Sequence, residues 1–118
     1  MKDVKQLASA FWAMRSWFEK TCDFYSSDFS DCYCQNTDRF SVSYFGQAES
    51  DGEIQKMLAS VLPYALKGYQ WTLEAMTITV AGYAILVSFD KKEKRLTLTC
   101  ELTDYKDIEV FWEVVSNA

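Results

Sequence analysis

Hydrophobic positions recur at steps of three and four through Val4, Leu7, Phe11, Met14, Phe18, Cys22 and Tyr25, the repeat of one face of an α-helix. The spacing predicts a helix over residues 3–26 with that stripe against the core. At about 100° per residue, Trp12 falls to one side of the stripe and Ala10, Ala13, Trp17 and Phe24 to the other. A narrow polar strip of Lys5, Ser9, Ser16, Lys20 and Asp23 remains. So wide an apolar arc exceeds what packing on one sheet requires, so its flanks should meet another element, a second subunit or a partner.

Beyond that helix the pattern changes period. Residues 27–37 are rich in Ser, Asp, Asn and Thr and read as loop, with a short strand at 32–35 that turns through 35–38 into a strand over 39–45. In the latter, Phe40, Val42 and Tyr44 alternate with Ser41 and Ser43, as in a half-buried strand. Ser50 followed by Glu53 forms a capping box, and Ile54, Met57, Leu58, Val61, Leu62 and Ala65 continue as one helical face. Pro63 should kink or end this second helix near Leu62, with Gly68 as the stop if another turn follows.

Three strands are expected next. Over 70–80 the apolar parity shifts from Trp71 and Leu73 to Met76, Ile78 and Val80, which calls for a bulge near Ala75 or burial on both faces. Residues 83–89 are almost wholly apolar and should form a central strand. Leu96, Leu98, Cys100 and Leu102 then alternate with Arg95, Thr97, Thr99 and Glu101 after a charged hairpin tip at 90–94. In the final segment Ile108, Val110, Trp112 and Val114 fit a strand, while Ile108, Phe111, Trp112 and Val115 fit a helix. A cap at Thr103 or Asp104 and acids in the first turn favour the helix. The expected order is α-β-β-α-β-β-β-α. It describes a single α+β domain over residues 1–118, with an antiparallel sheet of four to five strands packed against an N-terminal, a middle and a C-terminal helix.

Composition agrees with one ordered domain: 118 residues, 49% hydrophobic, with a single proline. The first residues carry charges at Lys2, Asp3, Lys5 and Arg15 and lack the apolar stretch of a secretory signal, so a cytoplasmic location is expected. The apolar run 71–89 approaches membrane-spanning length, but Glu74, Gly82 and the interleaved β-branched residues fit two strands better. Net charge is −5, distributed as +2 over residues 1–18, −6 over 19–53, +3 over 54–100 and −4 over 101–118. Such a chain repels phosphate backbones, so no direct nucleic-acid contact is expected. Lys91, Lys92, Lys94 and Arg95 lack adjacent stacking aromatics and serve to keep a hairpin tip soluble.

Candidate chemistry is sparse. The chain has no histidine, which removes the commonest general base and metal ligand together. Cys22, Cys32 and Cys34 lie among acids, which oppose thiolate formation. With Cys100 they make a weak zinc alternative, because C-x9-C-x-C and one distant cysteine lack paired knuckles. No phosphate-binding glycine motif appears, the acidic loop lacks the ligand order of a calcium hand, and no cofactor or catalytic residue is assigned.

What stands out is aromatic content: eleven aromatic side chains between Phe11 and Phe45, more than one small core needs. Together with the acidic block, this favours a small cytoplasmic protein-binding module that inhibits a basic partner, of toxin-immunity or phage anti-defence type. The expected anchors are Trp12, Trp17, Phe24 and Phe29, rimmed by Asp23, Asp28, Asp31 and Asp38. Alternatives are a secretion or assembly chaperone acting as a homodimer, and a small-molecule binder or enzyme that uses acidic and aromatic pocket residues.

Overall fold

The structure, a computed structural model, describes residues 2–21, 25–26, 39–45, 51–92, 95–102 and 104–117. It is an α+β fold. Among the described residues the order is α1 (Val4–Thr21), β1 (Tyr25–Ser26), β2 (Arg39–Phe45), α2 (Asp51–Ala65), β3 (Trp71–Glu74), β4 (Thr77–Val80), β5 (Tyr83–Asp90), β6 (Arg95–Glu101) and α3 (Tyr105–Ser116). The strands form one antiparallel sheet in the order β1-β2-β6-β5-β4-β3.

The first helix stops at Thr21, short of the expected residue 26, and Tyr25 and Ser26 instead pair with Phe45 and Tyr44 of β2. Thr21, Cys22, Asp23, Phe24, Tyr25 and Ser26 are all weak helix formers, so the backbone partners offered by the edge of β2 outweigh another helical turn. The expected short strand at 32–35 lies outside the described residues.

The parity change at 70–80 is a hairpin. Residues 75 and 76 turn the chain between β3 and β4, pairing Glu74 with Thr77 and Trp71 with Val80. Four strands therefore follow α2 where three were expected, and the sheet exceeds the expected four to five strands. Ala75 takes φ 53 at the first turn position. The next hairpin turns on Ala81 and Gly82, both at positive φ (55 and 82), and pairs Val80 with Tyr83. Two positive-φ residues fit a type I′ turn, and one at the first position fits type II′; both match the twist of the flanking strands.

Pro63 does not end α2. The helix runs to Ala65, the Leu66 N–H donates to the Leu62 carbonyl at 2.8 Å, and Gly68 at φ 93 closes the segment, as anticipated for a helix with one further turn. Pro63 is exposed, whereas Leu62, Ala65 and Leu66 are buried, and that burial offsets the missing donor.

One core joins the layers. Leu7, Phe11 and Met14 of α1, Ile54, Leu58 and Leu62 of α2, and Phe111 of α3 cluster with Ile78, Ile85, Leu96 and Leu98 of the sheet. Along β5 burial alternates: Tyr83, Ile85 and Val87 are buried, while Ala84, Leu86 and Ser88 face out. The helices thus cover one face of the sheet, and the other is open around Leu86, whose register partners are Thr77 and Thr99.

Candidate functional site

Two devices place polar groups at the end of the sheet where β5 begins and β6 ends. Asp3 caps α1, its Oδ1 accepting from the backbone N–H groups of Lys5 (3.1 Å) and Gln6 (3.2 Å). Its own N–H donates to the Ala81 carbonyl at 3.0 Å, which fastens the N-terminal segment to the β4–β5 turn. Asp104 caps α3 by accepting from the Lys106 N–H at 2.9 Å. Asp107 then falls in the first turn of α3, where the helix dipole favours a carboxylate.

Between these anchors opens a cleft of about 470 Å³, lined by Lys2, Gly82, Tyr83, Ala84, Leu86, Thr99, Glu101 and Asp107. Tyr83 is only 7% exposed, and the Lys2 ammonium lies 5.3 Å from its ring centroid, in cation–π range. Burial raises the Tyr83 pKa above its ordinary value; Asp107, Cys100 once it is ionised, Asp3 and Asp104 push in the same direction. Beneath the cleft wall, the buried Cys100 thiol is pushed up to about 12, chiefly by desolvation; Lys2 opposes the shift and Glu101 adds to it. Both groups therefore hold their protons at neutral pH. The arrangement is no source of a thiolate or phenolate nucleophile, but its negative potential suits a cation.

A second acidic surface adjoins the cleft. On α3, Tyr105, Glu109 and Glu113 stand at steps of four on one line of the helix and all are exposed, Tyr105 at 65%. Phe111 and Val115 of the same helix are buried.

Of the residues expected to bind a partner, Trp12 and Trp17 are half-buried against the core. Trp17 stacks on Tyr64 of α2 with centroids 5.7 Å apart at 26°, and the Arg15 guanidinium lies 5.1 Å from the Trp12 ring. The flanks of α1 thus meet elements of the same chain. Phe24, Phe29, Asp23, Asp28, Asp31 and Asp38 lie outside the described residues, as do Cys22, Cys32 and Cys34 of the zinc alternative. Cys100 is a buried free thiol, and no cluster of three potential metal ligands occurs among the described residues.

The cleft was missed because its residues are remote in sequence: Lys2, Tyr83, Glu101 and Asp107 belong to four different elements or their ends. The one signal pointing toward it was the charge of −4 over residues 101–118. Comparison with protein-family models, curated proteins and solved structures returns no match. No helix among the described residues is long and apolar enough to cross a membrane.

Proposed function

We propose that this chain is a small acidic protein-binding module that acts in the cytoplasm by occupying the basic surface of another protein, as an inhibitor of toxin-immunity or anti-defence type. The observation that carries this reading is the outer face of α3, where exposed Tyr105 is aligned with Glu109 and Glu113 and continues toward Asp104, Asp107 and Glu101. A helix on which Asp107, Glu109 and Glu113 outnumber Lys106 has a net negative surface, which speeds encounter with a surface of opposite sign and disfavours wrong partners. Tyrosine adds contact area at low entropic cost, and is among the residues enriched at interfaces. This function requires no catalytic group.

The test is affinity capture from the native host with the wild-type chain and with a Glu109→Lys/Glu113→Lys variant. The wild type should retain a basic protein at low salt, and the variant should lose it. Equal retention by both proteins, or capture of acidic proteins only, would refute the reading. Both positions are solvent-exposed, so thermal melts of the variant should stay close to those of the wild type.

A further inference from the structure

β3 is one edge of the sheet, with β4 on one side and no strand on the other among the described residues. The register shows which of its backbone groups face out. The Val87 N–H donates to the Met76 carbonyl at 2.8 Å, so Met76, Ile78 and Val80 turn their backbone groups to β5, and Thr77 and Thr79 turn theirs to β3. Thr77 and Thr79 stand opposite Glu74 and Thr72. The N–H and C=O groups of Trp71 and Leu73 are therefore directed away from the sheet, and no described residue gives them a hydrogen bond. Natural sheets blunt such an edge with lysine, proline or a bulge. β3 has none of these, and its sequence Trp-Thr-Leu-Glu carries its charge only at the turn end.

We propose that β3 pairs antiparallel with β3 of a second copy of this chain, about a two-fold axis that passes Thr72. Only outward-facing residues can exchange N–H···O bonds across the new ladder, and this register joins Trp71 to the partner's Leu73 and Leu73 to the partner's Trp71. Both side chains are half-buried against the core, so each indole ring gains an aliphatic neighbour across the ladder. On the open face Thr72 meets the partner's Thr72, a favourable pair. Charge selects a second copy as the occupant. Glu74 and Lys67 are both exposed, and no described residue forms an ion pair with either. The two-fold sets Glu74 opposite the partner's Gln70, at the end of the edge where the partner's Lys67 stands. An axis at Glu74 would instead oppose two carboxylates directly. The pairing uses no residue of the α3 face proposed to hold a basic partner, so either reading can fail alone.

The inference is tested by sedimentation equilibrium and amide hydrogen exchange on the full chain. The weight-average mass should climb from that of a 13.6 kDa chain toward twice that value between about 5 and about 500 μM, as for a small interface. Exchange of the Trp71 and Leu73 amides should slow over the same range, more than that of Thr72 and Glu74, which β4 already holds. Thr72→Lys, at an exposed position, sets two ammonium groups across the axis and should raise the dissociation constant about fivefold or more. Thr72→Glu should do the same. An equimolar mixture of the two variants should recover the wild-type affinity to within about twofold, and that recovery separates lost pairing from lost folding. A wild type that stays monomeric, a dimer with unprotected Trp71 and Leu73 amides, or a mixture no tighter than the single variants would overturn the pairing. Protection of those amides only in a complex with a different protein would assign the edge to that protein and overturn it equally.

Discussion

Cys100 and Tyr83 show how position decides the chemistry of a side chain. Each carries an ionisable proton, yet Cys100 is 1% and Tyr83 7% exposed on the core face of the sheet. Burial penalises their anions, and the nearby carboxylates add to the penalty. The folded chain therefore holds both protons more tightly than the unfolded chain. Their contribution to stability is whole below about pH 9, and it is lost as pH rises from the ordinary thiol value of 9.0 toward about 12. Urea midpoints measured at pH 7, 9, 10 and 11 should accordingly fall above pH 9. A Cys100→Ala variant should show a shallower fall, with the Tyr83 contribution remaining. Identical slopes for the two proteins would show that Cys100 has no part in the alkaline loss.

At the scale of elements, the turns decide where strands begin. The β3–β4 hairpin turns through an alanine at φ 53, a conformation that costs an L-residue about 1–2 kcal/mol. Ala75 is exposed, so a substitution there disturbs turn geometry and little packing. Ala75→Gly should raise stability by ~0.5–1 kcal/mol, read as a higher urea midpoint with an unchanged slope, since glycine adopts positive φ without a Cβ clash. A drop in midpoint would show that the chain-entropy cost of glycine outweighs the relief. This turn is also where the sequence was least legible. An alanine and a methionine carry no turn signature, so a parity change in the hydrophobic pattern fitted a bulge as well as a reversal. The Ala81–Gly82 turn, with a glycine at its second position, was easier to place between two strands. The α2 start at Asp51, immediately after Ser50, and the α3 start after Asp104 were legible for a local reason: caps are built from residues within one turn of the boundary.

For the whole molecule the decisive contact is between the first and last helices. Phe11 of α1 meets Phe111 of α3 edge to face, with centroids 5.4 Å apart at 77°, and both side chains are fully buried. Deleting a buried phenylalanine costs about 3–5 kcal/mol, against a total stability of about 5–15 kcal/mol for a typical domain. Phe11→Ala should therefore remove a third or more of a typical domain's stability, about 3–5 kcal/mol, read as a much lower urea midpoint and a reduced near-ultraviolet circular dichroism. Retention of most of the wild-type stability would mean that α3 docks independently of this pair. The same contact bears on the acidic surface, because α3 can present Tyr105, Glu109 and Glu113 outward only while Phe111 and Val115 hold its other side against the core.

The sequence by itself determined the first two helices and the strands at 39–45, 83–89 and 95–101 through apolar periodicity, the third helix through its cap and first-turn acids where periodicity fitted a strand as well, and with them the α+β class; the order of charged residues fixed the segregation of charge into blocks. Each of these depends on neighbours a few positions apart, and side-chain period and capping chemistry act at that range. Tertiary structure alone decided that the wide apolar arc of α1 is met by α2 and α3 of the same chain, that Tyr25 and Ser26 leave the helix for the sheet, and that Lys2, Tyr83, Glu101 and Asp107 share one cleft. Those outcomes depend on contacts between residues tens of positions apart. Helix packing and strand register settle such contacts, and no local pattern encodes them.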